Sequence, residues 1–540
     1  MKKISIIASL FLAFTSLFAQ TKAPENWYNL DYKTSKVNGV ATERTYEELL
    51  KGKKSTTIIV GVIDSGVDFN HEDLKDVMWT NEKEIPANGI DDDKNGYIDD
   101  IHGWNFLGGK DGKNVDNESL ELTRLYRELK PKYDGKTEKD IASKDKKEFK
   151  TYQQIKLDYE AEYAEAQQNS VQIAFVQQLV ENMNLKIKDQ LKIEKVTAED
   201  VARFKPEDAK QKQFIPAIKG MLMQANDLDE LLENMDEGVK QFDDQLKFNL
   251  NLEFDPRTIV GDDYKNQTEK YYGNADCNGP SSLHGTHVAG IIAANRINNT
   301  GTKGVADNVK IMAIRAVPNG DERDKDIANA IYYAVDNGAS IINMSFGKKY
   351  SYNKKIVDDA VKYAESKDVL IVHAAGNEAL NIDQIQHFPC KKYESGKDAK
   401  NFVDVGALSW RDSSAVPAVF SNYGKKTVDV FAPGVDIYST KSGGGYINES
   451  GTSMACPVTA GVAAVLRSYY PYLSAKDIKK IIQKSVSKDY KKLQVMRPGA
   501  KDENDKVKFS ELSNTGGMVN LYNAVQMAEK IKPRKVRAKF

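Results

Sequence analysis

The sequence predicts an α/β fold in which helices flank a parallel β-sheet, with one long helical insertion. Two observations support this prediction. First, short apolar runs of strand length alternate with helical segments from residue 309 onward, and the links between them are short. This alternation is typical of βαβ units, whose parallel strands are buried on both faces. Second, residues 111–253 contain little glycine and many charged residues, and this segment divides the α/β part in two.

Length and composition favour a large soluble protein. The chain has 540 residues, of which 40% are hydrophobic and 29% are charged. That length accommodates one large domain with an insertion. The formal net charge is −1, so the charge balance does not predict a nucleic-acid partner.

The first 20 residues predict a signal peptide. Lys2 and Lys3 precede an apolar stretch at 4–18, and the small residue Ala19 stands where cleavage is expected. The stretch is shorter than the roughly 20 apolar residues that span a bilayer. No later segment is apolar enough to span one, so we expect export to the periplasm or the medium, with no membrane span after signal removal.

The first strand of the core is predicted at 58–63, after a lead-in at 21–57. The run is almost continuously apolar, as expected for a strand that is buried on both faces. Asp64 follows it directly. Open α/β sheets place their sites at the carboxyl ends of strands, so Asp64 is a candidate site residue.

An acidic segment further along is similar to the first half of an EF-hand loop. Oxygen-bearing side chains alternate along it, and Gly96 allows the sharp turn that such loops need. His102 stands where an EF-hand has its final Glu, so a complete EF-hand is excluded. Packed carboxylates repel one another without a cation, which favours a structural calcium site over a solvated acidic turn. The candidate ligands are Asp91, Asp93, Asn95, Tyr97 through its carbonyl, and Asp99.

Residues 111–253 are expected to form a helical insertion between two parts of one domain, 58–110 and 254–530. Apolar residues recur in the insertion at the spacing of amphipathic helices. The sequence does not identify a partner for it. The helical segments expected there are 120–129, 149–168, 173–187 and 214–246.

The second part of the domain continues the α/β alternation as far as a basic tail at 531–540. Its predicted strands are 309–317, 340–345, 369–374, 402–408 and 428–431. Its predicted helices are 326–337, 354–366, 474–487 and 518–530.

Three separated motifs place an Asp, a His and a Ser at the ends of regular elements. They are GVIDSG at 61–66, HGTHVAG at 284–290 and GTSMACP at 451–457. NMSFG at 343–347 and AAGN at 374–377 lie between the second and the third. In this order, the five motifs together resemble the subtilases, the subtilisin-like serine peptidases, of the bacterial exported type.

The resemblance implies a subtilisin-like sheet and the hydrolysis of peptide bonds by a catalytic triad. Ser453 is the implied nucleophile, His284 the general base and then acid, and Asp64 the group that orients the imidazole. Asn377 and the Ser453 N–H are the implied oxyanion hole. Taken alone, each triad residue also has a structural interpretation: a helix cap for Ser453, a turn cap for Asp64 and a packed His284.

The resemblance also implies a substrate-binding edge and a further calcium ligand. Extended protein or peptide substrates are expected to pair with the main chain at 345–347. Asp73 matches a family position that binds calcium together with the loop at 298–306. The implied substrate-binding residues are Ser345, Phe346, Gly347, Ala375 and Gly376.

The cysteines leave one question open. The chain has three, Cys277, Cys390 and Cys456, and an odd number leaves at least one thiol free. A bridge between Cys277 and Cys390 is neither predicted nor excluded, and Cys456 is interpreted as a packed residue beside Ser453. Pro457 is expected within the first turn of the same helix, where a missing N–H costs little.

Alternatives to an exported peptidase remain. The lead-in at 21–57 is too short for the folded propeptide that subtilases commonly carry, so the route of maturation is not predicted. One alternative is a subtilase-fold binding protein whose insertion recruits a partner. Another is a hydrolase of a different class, such as an esterase, but the triad order and the lack of a Gly-x-Ser-x-Gly elbow argue against it.

Overall fold

The computed structural model describes residues 23–223, 225–411 and 413–533. These residues form two compact units. The smaller unit is Leu122–Phe254, and the larger comprises residues 23–121 and 255–533. The expected signal peptide at 1–20 and the end of the basic tail, from residue 534, lie outside the described residues.

The regular elements of the described residues are numbered in chain order. The strands are β1 Ile58–Asp64, β2 Gly103–Asn105, β3 Val309–Arg315, β4 Ala339–Met344, β5 Leu370–Ala374, β6 Phe402–Leu408, β7 Val430–Pro433, β8 Ile437–Thr440, β9 Tyr446–Glu449, β10 Gln494–Met496 and β11 Lys506–Lys508. The helices are α1 Tyr32–Ser35, α2 Thr42–Thr45, α3 Glu121–Tyr133, α4 Lys146–Leu191, α5 Ala198–Arg203, α6 Ala209–Met221, α7 Leu228–Asp244, α8 Leu283–Ala293, α9 Asp324–Asp336, α10 Lys354–Ser366, α11 Thr452–Tyr469, α12 Ala475–Ser485 and α13 Leu521–Ala528.

Seven strands of the larger unit form one parallel sheet in the order β2-β3-β1-β4-β5-β6-β7. The prediction of a parallel sheet flanked by helices is therefore confirmed. β2, which pairs with β3 at the edge of the sheet, was not predicted from the sequence. Three residues are too few to show a strand periodicity.

Helices cover both faces of the sheet, since successive residues of a strand point to opposite sides. In β1, Val60 and Val62 belong to a buried cluster that includes residues of α8 and α11. Ile63 belongs to a second cluster, with residues of α9 and α10. This arrangement explains why the β1 sequence is apolar at successive positions.

The segment before β1 packs into the larger unit. Trp27 and Tyr28 are fully buried. The Trp27 indole N–H donates to the Asp436 carbonyl at 3.1 Å, and the Tyr28 hydroxyl donates to the Lys303 carbonyl at 2.8 Å. These two side chains therefore make the described part of the lead-in an integral element of this unit.

The smaller unit is helical, and α4 is its longest element. α4 runs unbroken for 46 residues. The expectation of separate helices at 149–168 and 173–187 is therefore wrong. Asn169 and Ser170 lie between those segments, but α4 contains no glycine or proline that would break it.

The expectation of one helix at 214–246 is also wrong. The structure has two helices there, α6 and α7. Asp227 starts the second, because its side chain caps α7 by accepting a hydrogen bond from the Glu230 N–H at 2.9 Å. α7 packs along α4 through a buried cluster that includes Val180 and Leu228.

The three cysteines are free thiols in the structure. Cys277 and Cys456 are buried and Cys390 is half-buried. The bridge between Cys277 and Cys390 that the sequence left open is not formed. The Cys456 thiol lies 3.1 Å from Asn343 Oδ1, and burial raises its pKa, which favours a packing role over a nucleophilic one.

Candidate active site

The motif residues lie at the carboxyl edge of the parallel sheet. Asp64 is the last residue of β1, Ser345 follows β4 and Ala375 follows β5, and these strands are neighbours. His284 lies in the first turn of α8 and Ser453 in the first turn of α11. This edge is where open α/β sheets place their sites.

Asp64 and His284 form a direct pair, with His284 Nδ1 2.7 Å from Asp64 Oδ1. Because an ionised carboxylate only accepts, Nδ1 carries the proton, and Nε2 is left for proton transfer. Gly285 permits the close approach, since a Cβ there would clash with the Gly66 carbonyl oxygen. The Asp64 side chain is 2% exposed and that of His284 is 41% exposed, so the imidazole is the group that meets solvent.

The surroundings of His284 favour its protonated form. The partial burial of the ring opposes the imidazolium charge, but the charge and the hydrogen bond of Asp64 outweigh it, and Glu449 adds a weaker attraction. Together these groups raise the pKa of His284 above its ordinary value. The imidazole therefore takes up a proton more readily than an isolated histidine.

Ser453 is joined to Ser345 by two hydrogen bonds. Ser453 Oγ donates to the Ser345 carbonyl at 2.9 Å, and Ser345 Oγ donates to the Ser453 carbonyl at 2.9 Å. The Ser453 carbonyl is available because Pro457, one helical turn further on, has no N–H to donate to it. Pro457 thus lies beyond the first turn of α11, which corrects the expectation from sequence. Among the described residues, no hydrogen bond joins Ser453 Oγ to His284.

Asn377 is oriented by the start of α11. Its Oδ1 accepts from the Thr452 N–H at 2.8 Å and from Thr452 Oγ1 at 2.9 Å. A Cβ placed on Gly451 would lie 3.5 Å from both Asn377 Nδ2 and the Ser453 nitrogen. These two N–H donors therefore flank a common point beside the nucleophile candidate.

The two segments that were expected to bind substrate, 345–347 and 375–376, both contact the first turn of α11. The first does so through the paired hydrogen bonds to Ser453 described above. The second does so through the Gly376 N–H, which donates to Thr452 Oγ1 at 3.1 Å. The structure thus brings both segments to the residue pair at the start of this helix.

A cleft of about 480 Å³ opens beside the Asp–His pair. Its wall includes two charged residues that the sequence analysis missed, Arg315 and Glu449. The Arg315 guanidinium is buried and donates to the carbonyls of Ser65 and Val115 at 3.0 and 2.5 Å, and burial lowers its pKa to about 10. Neither residue stands in a motif, so no sequence signal indicated them.

Comparison with known proteins assigns the family. The model of the subtilase family matches residues 55–510. The chain belongs to the subtilase family. The resemblance that the five motifs carry is thereby confirmed over most of the chain.

This subtilase is similar to several curated proteins. It is 43% identical over 217 residues to the thermophilic serine proteinase of Bacillus sp. (strain AK1), which covers 40% of this chain and 48% of that protein. It is 36% identical over 249 residues to thermitase of Thermoactinomyces vulgaris. This match covers 45% of this chain and 75% of that protein. It is 39% identical over 207 residues to subtilisin DY of Bacillus licheniformis. This match covers 38% of this chain and 69% of that protein. The chain spans about half the length of the first of these relatives.

Among solved structures, the subtilase is similar to a protease from Pseudoalteromonas arctica PAMC 21717. The two are 28% identical, with a TM-score of 0.37, over 45% of this chain and 70% of that chain.

The acidic loop of this subtilase brings three carboxylates together. Oxygen atoms of Glu84, Asp91 and Asp93 lie within 4.8 Å of one another. A donor set made only of oxygen suits a hard cation such as calcium. Glu84 was not predicted from the sequence, because it precedes the alternating acidic pattern and carries no signal of its own.

The remaining predicted ligands of the loop make other contacts. The Asp99 carboxylate accepts from the N–H groups of Asn88 and Gly89 at 3.1 and 2.9 Å. Asn95 Oδ1 accepts from the Tyr97 N–H at 2.8 Å. These contacts shape the turn around the three carboxylates.

Asp73 is buried apart from that group. Its carboxylate accepts hydrogen bonds from Asn298 Nδ2 and, at 3.0 Å, from the Tyr446 hydroxyl. Asn298 begins the 298–306 loop that the resemblance associates with Asp73. The structure therefore brings these two together, and a calcium role for Asp73 stays a prediction.

Proposed function

We propose that this subtilase is an exported serine endopeptidase that hydrolyses peptide bonds in protein or peptide substrates. The observation that carries the proposal is the Asp64–His284 pair, which lies at the same sheet edge as Ser453. Its similarity to a serine proteinase, a subtilisin and thermitase supports the proposal.

In the proposed reaction, Ser453 Oγ attacks the scissile carbonyl while His284 Nε2 takes its proton. Ser453 first rotates about its Cα–Cβ bond, so that the imidazole replaces the Ser345 carbonyl as the acceptor. Asp64 holds Nδ1 and stabilises the imidazolium that forms. His284 then gives the proton to the leaving amine, and a water molecule releases the acyl group by the same steps.

Asn377 Nδ2 and the Ser453 N–H bind the oxyanion of the tetrahedral intermediate. The N–H groups in the first turn of a helix lack partners within it, and the helix dipole favours negative charge there. The two hydrogen bonds from Thr452 hold Asn377 Oδ1, which leaves Nδ2 as the donor. Removing one such donor costs about 10²–10³ in kcat in subtilisin.

We also propose that Glu84, Asp91 and Asp93 hold a structural calcium ion. The cation offsets the repulsion between the three carboxylates and so stabilises the folded loop. Asp73 is the candidate for a second site, and neither site takes part in the bond-breaking steps.

Export is proposed from the sequence signal at 1–20. No helix in the part of the chain that the structure describes is both long and apolar enough to cross a membrane. Delivery to the periplasm or the medium would bring the enzyme to external proteins.

Casein hydrolysis by the purified chain tests the proposed function. Ser453→Ala and His284→Ala should each lower kcat by about a millionfold, as in subtilisin, while they melt at the wild-type temperature. Ser281→Ala, in the wall of the same cleft, is the matched control and should keep wild-type turnover. A folded Ser453→Ala variant with near wild-type turnover would refute the triad. Binding without cleavage would favour the binding-protein alternative, and cleavage of esters alone would favour an esterase.

A further inference from the structure

His387 contacts both of the segments that the proposed function assigns to substrate binding. A Cβ on Gly347 would lie 2.7 Å from His387 Nε2, and a Cβ on Gly376 would lie 3.0 Å from the same atom. The imidazole therefore occupies the space that a side chain at Gly347 would need. At Gly376 it borders that space together with Asn422 and Glu378, whose Nδ2 and Oε2 would lie 2.4 and 2.7 Å from a Cβ there. It lies against the main chain of both segments at once.

The main chain holds His387 in this place. The Lys348 N–H donates to the Phe388 carbonyl at 2.8 Å, and the Phe388 N–H donates to the Lys348 carbonyl at 2.8 Å. Lys348 is itself buried, with its ammonium 2.7 Å from the Glu121 carboxylate. The residue after His387 is thus paired with the residue after Gly347, so the ring belongs to the wall of the substrate-binding edge.

His387 also lines a cavity of about 360 Å³. His373 lies in the same wall, with its ring centroid 5.8 Å from that of His387 and its Nδ1 2.9 Å from Asp404 Oδ1. Burial and the neighbouring His373 lower the pKa of His387 below its ordinary value, so its ring is neutral at neutral pH. One uncharged ring is therefore shared by the cavity and the substrate-binding edge.

We propose that His387 determines specificity by restricting the substrate residue on the acyl side of the scissile bond to a small side chain. This inference rests on the proposed function. Segments 345–347 and 375–376 both contact the start of α11, so a substrate carbonyl that reaches Ser453 lies beside them. Its side chain then points toward the Gly347–Gly376 pair, where the imidazole limits the depth of the site. A small side chain ends before it reaches the ring, whereas a large one would have to displace the ring, which is unfavourable.

The test measures kcat/KM of the full chain for two peptides that differ only in this residue, Ala against Phe. The wild-type enzyme should prefer Ala. His387→Ala removes the ring and should raise the Phe-to-Ala ratio at least about tenfold, the effect of a few carbon atoms in a pocket. His387→Phe refills the space with a ring and should keep the wild-type ratio. Gln386→Ala, which lines the same cavity, is the matched control and should leave the ratio unchanged.

A wild-type preference for Phe, or the same ratio in His387→Ala and the wild type, would overturn this inference. The proposed function would stand in that case, because both proteins still cleave peptides. Should His387→Ala not fold, the wild-type preference and the ratio of His387→Ser decide the matter. A wild-type chain that cleaves no peptide would remove the proposed function and this inference with it.

Discussion

Gly285 and Pro457 shape the site because Gly285 has no side chain and Pro457 has no backbone N–H group. Gly285 has no side chain to keep the first turn of α8 away from β1, so the Asp–His pair forms. Pro457 has no N–H to occupy the Ser453 carbonyl, so Ser345 Oγ binds that carbonyl instead. Both residues therefore shape the surroundings of the proposed catalytic groups.

The raised pKa of His284 predicts the acid limb of the pH profile. A general base works only when it is neutral, so kcat/KM should fall as the pH drops through this pKa. Because Asp64 and Glu449 raise the pKa, the limb should lie above the ordinary histidine value of about 6.5. Glu449→Gln removes one attraction and should move the limb to lower pH. The measurement is kcat/KM on a short peptide against pH.

Asp116→Asn is the control for that experiment, since Asp116 lines the same cleft but is not among the groups that shift His284. It should leave the limb close to its wild-type position. A limb that stays in place or moves upward in Glu449→Gln would contradict the electrostatic explanation.

Single residues were predictable where they stand in motifs. The sequence pointed to Asp64 and His284, and the structure brings them into contact. It did not point to Arg315, Glu449 or His387, because each is a lone residue that tertiary contacts bring to the site. Periodicity and motif spacing carry no information about such long-range contacts.

At the scale of elements, long apolar runs were the most predictable. β1, β5 and β6 were located to within a residue or so, since their apolar runs are bounded by polar or turn residues. β2 was missed because three residues show no period. α4 was divided wrongly, because Asn169 and Ser170 weaken a helix without ending it.

The acidic loop predicts a response to calcium. A cation that binds only the folded state stabilises it by mass action, by about 2.7 kcal/mol at a hundredfold excess over Kd. Chelator should therefore lower the melting temperature, and Asp93→Asn and Glu84→Gln should each weaken that response. The measurement is a thermal melt with and without chelator. Asp111→Asn, an exposed carboxylate paired with Lys113, is the control, and a wild-type melt unaffected by chelator would contradict the site.

At the scale of the whole molecule, one arginine of the larger unit, Arg323, forms ion pairs with a residue on each side of the smaller unit. Arg323 Nε lies 2.7 Å from Glu118 Oε2, and its Nη2 lies 2.9 Å from Asp255 Oδ1. Glu118 precedes the smaller unit, Leu122–Phe254, and Asp255 follows it. The two flanks are therefore held together by the larger unit itself.

When residues 122–254 are replaced with a short Gly/Ser linker, the chains that fold should remain active on short peptides. The flanks are already joined through Arg323, and insertions between such ends are thermodynamically tolerated. We propose that the insertion acts on access or maturation rather than on chemistry, so kcat/KM on a short peptide should match the wild type. A changed ratio of kcat/KM on casein to kcat/KM on the peptide would indicate that the insertion controls substrate access. A low yield of soluble protein would indicate that it assists maturation.

A folded deletion variant without peptide turnover would contradict this separation of the insertion from the chemistry. An unchanged ratio with a normal yield would leave the insertion as a peripheral addition. The sequence revealed that this stretch is helical, because glycine is scarce and its apolar residues are amphipathic. It could not show which helices pair, since an apolar stripe identifies a buried face but not its partner.

Labelling with a fluorophosphonate probe tests the proposed nucleophile most directly. The probe reacts with a serine whose hydroxyl is activated by a neighbouring base. In the folded wild-type chain, mass spectrometry of the peptides should find one modified residue, Ser453, and His284→Ala should lose the label while it remains folded. Modification of a different serine, or no label on a folded chain, would contradict the assignment of Ser453 as the nucleophile of a serine peptidase.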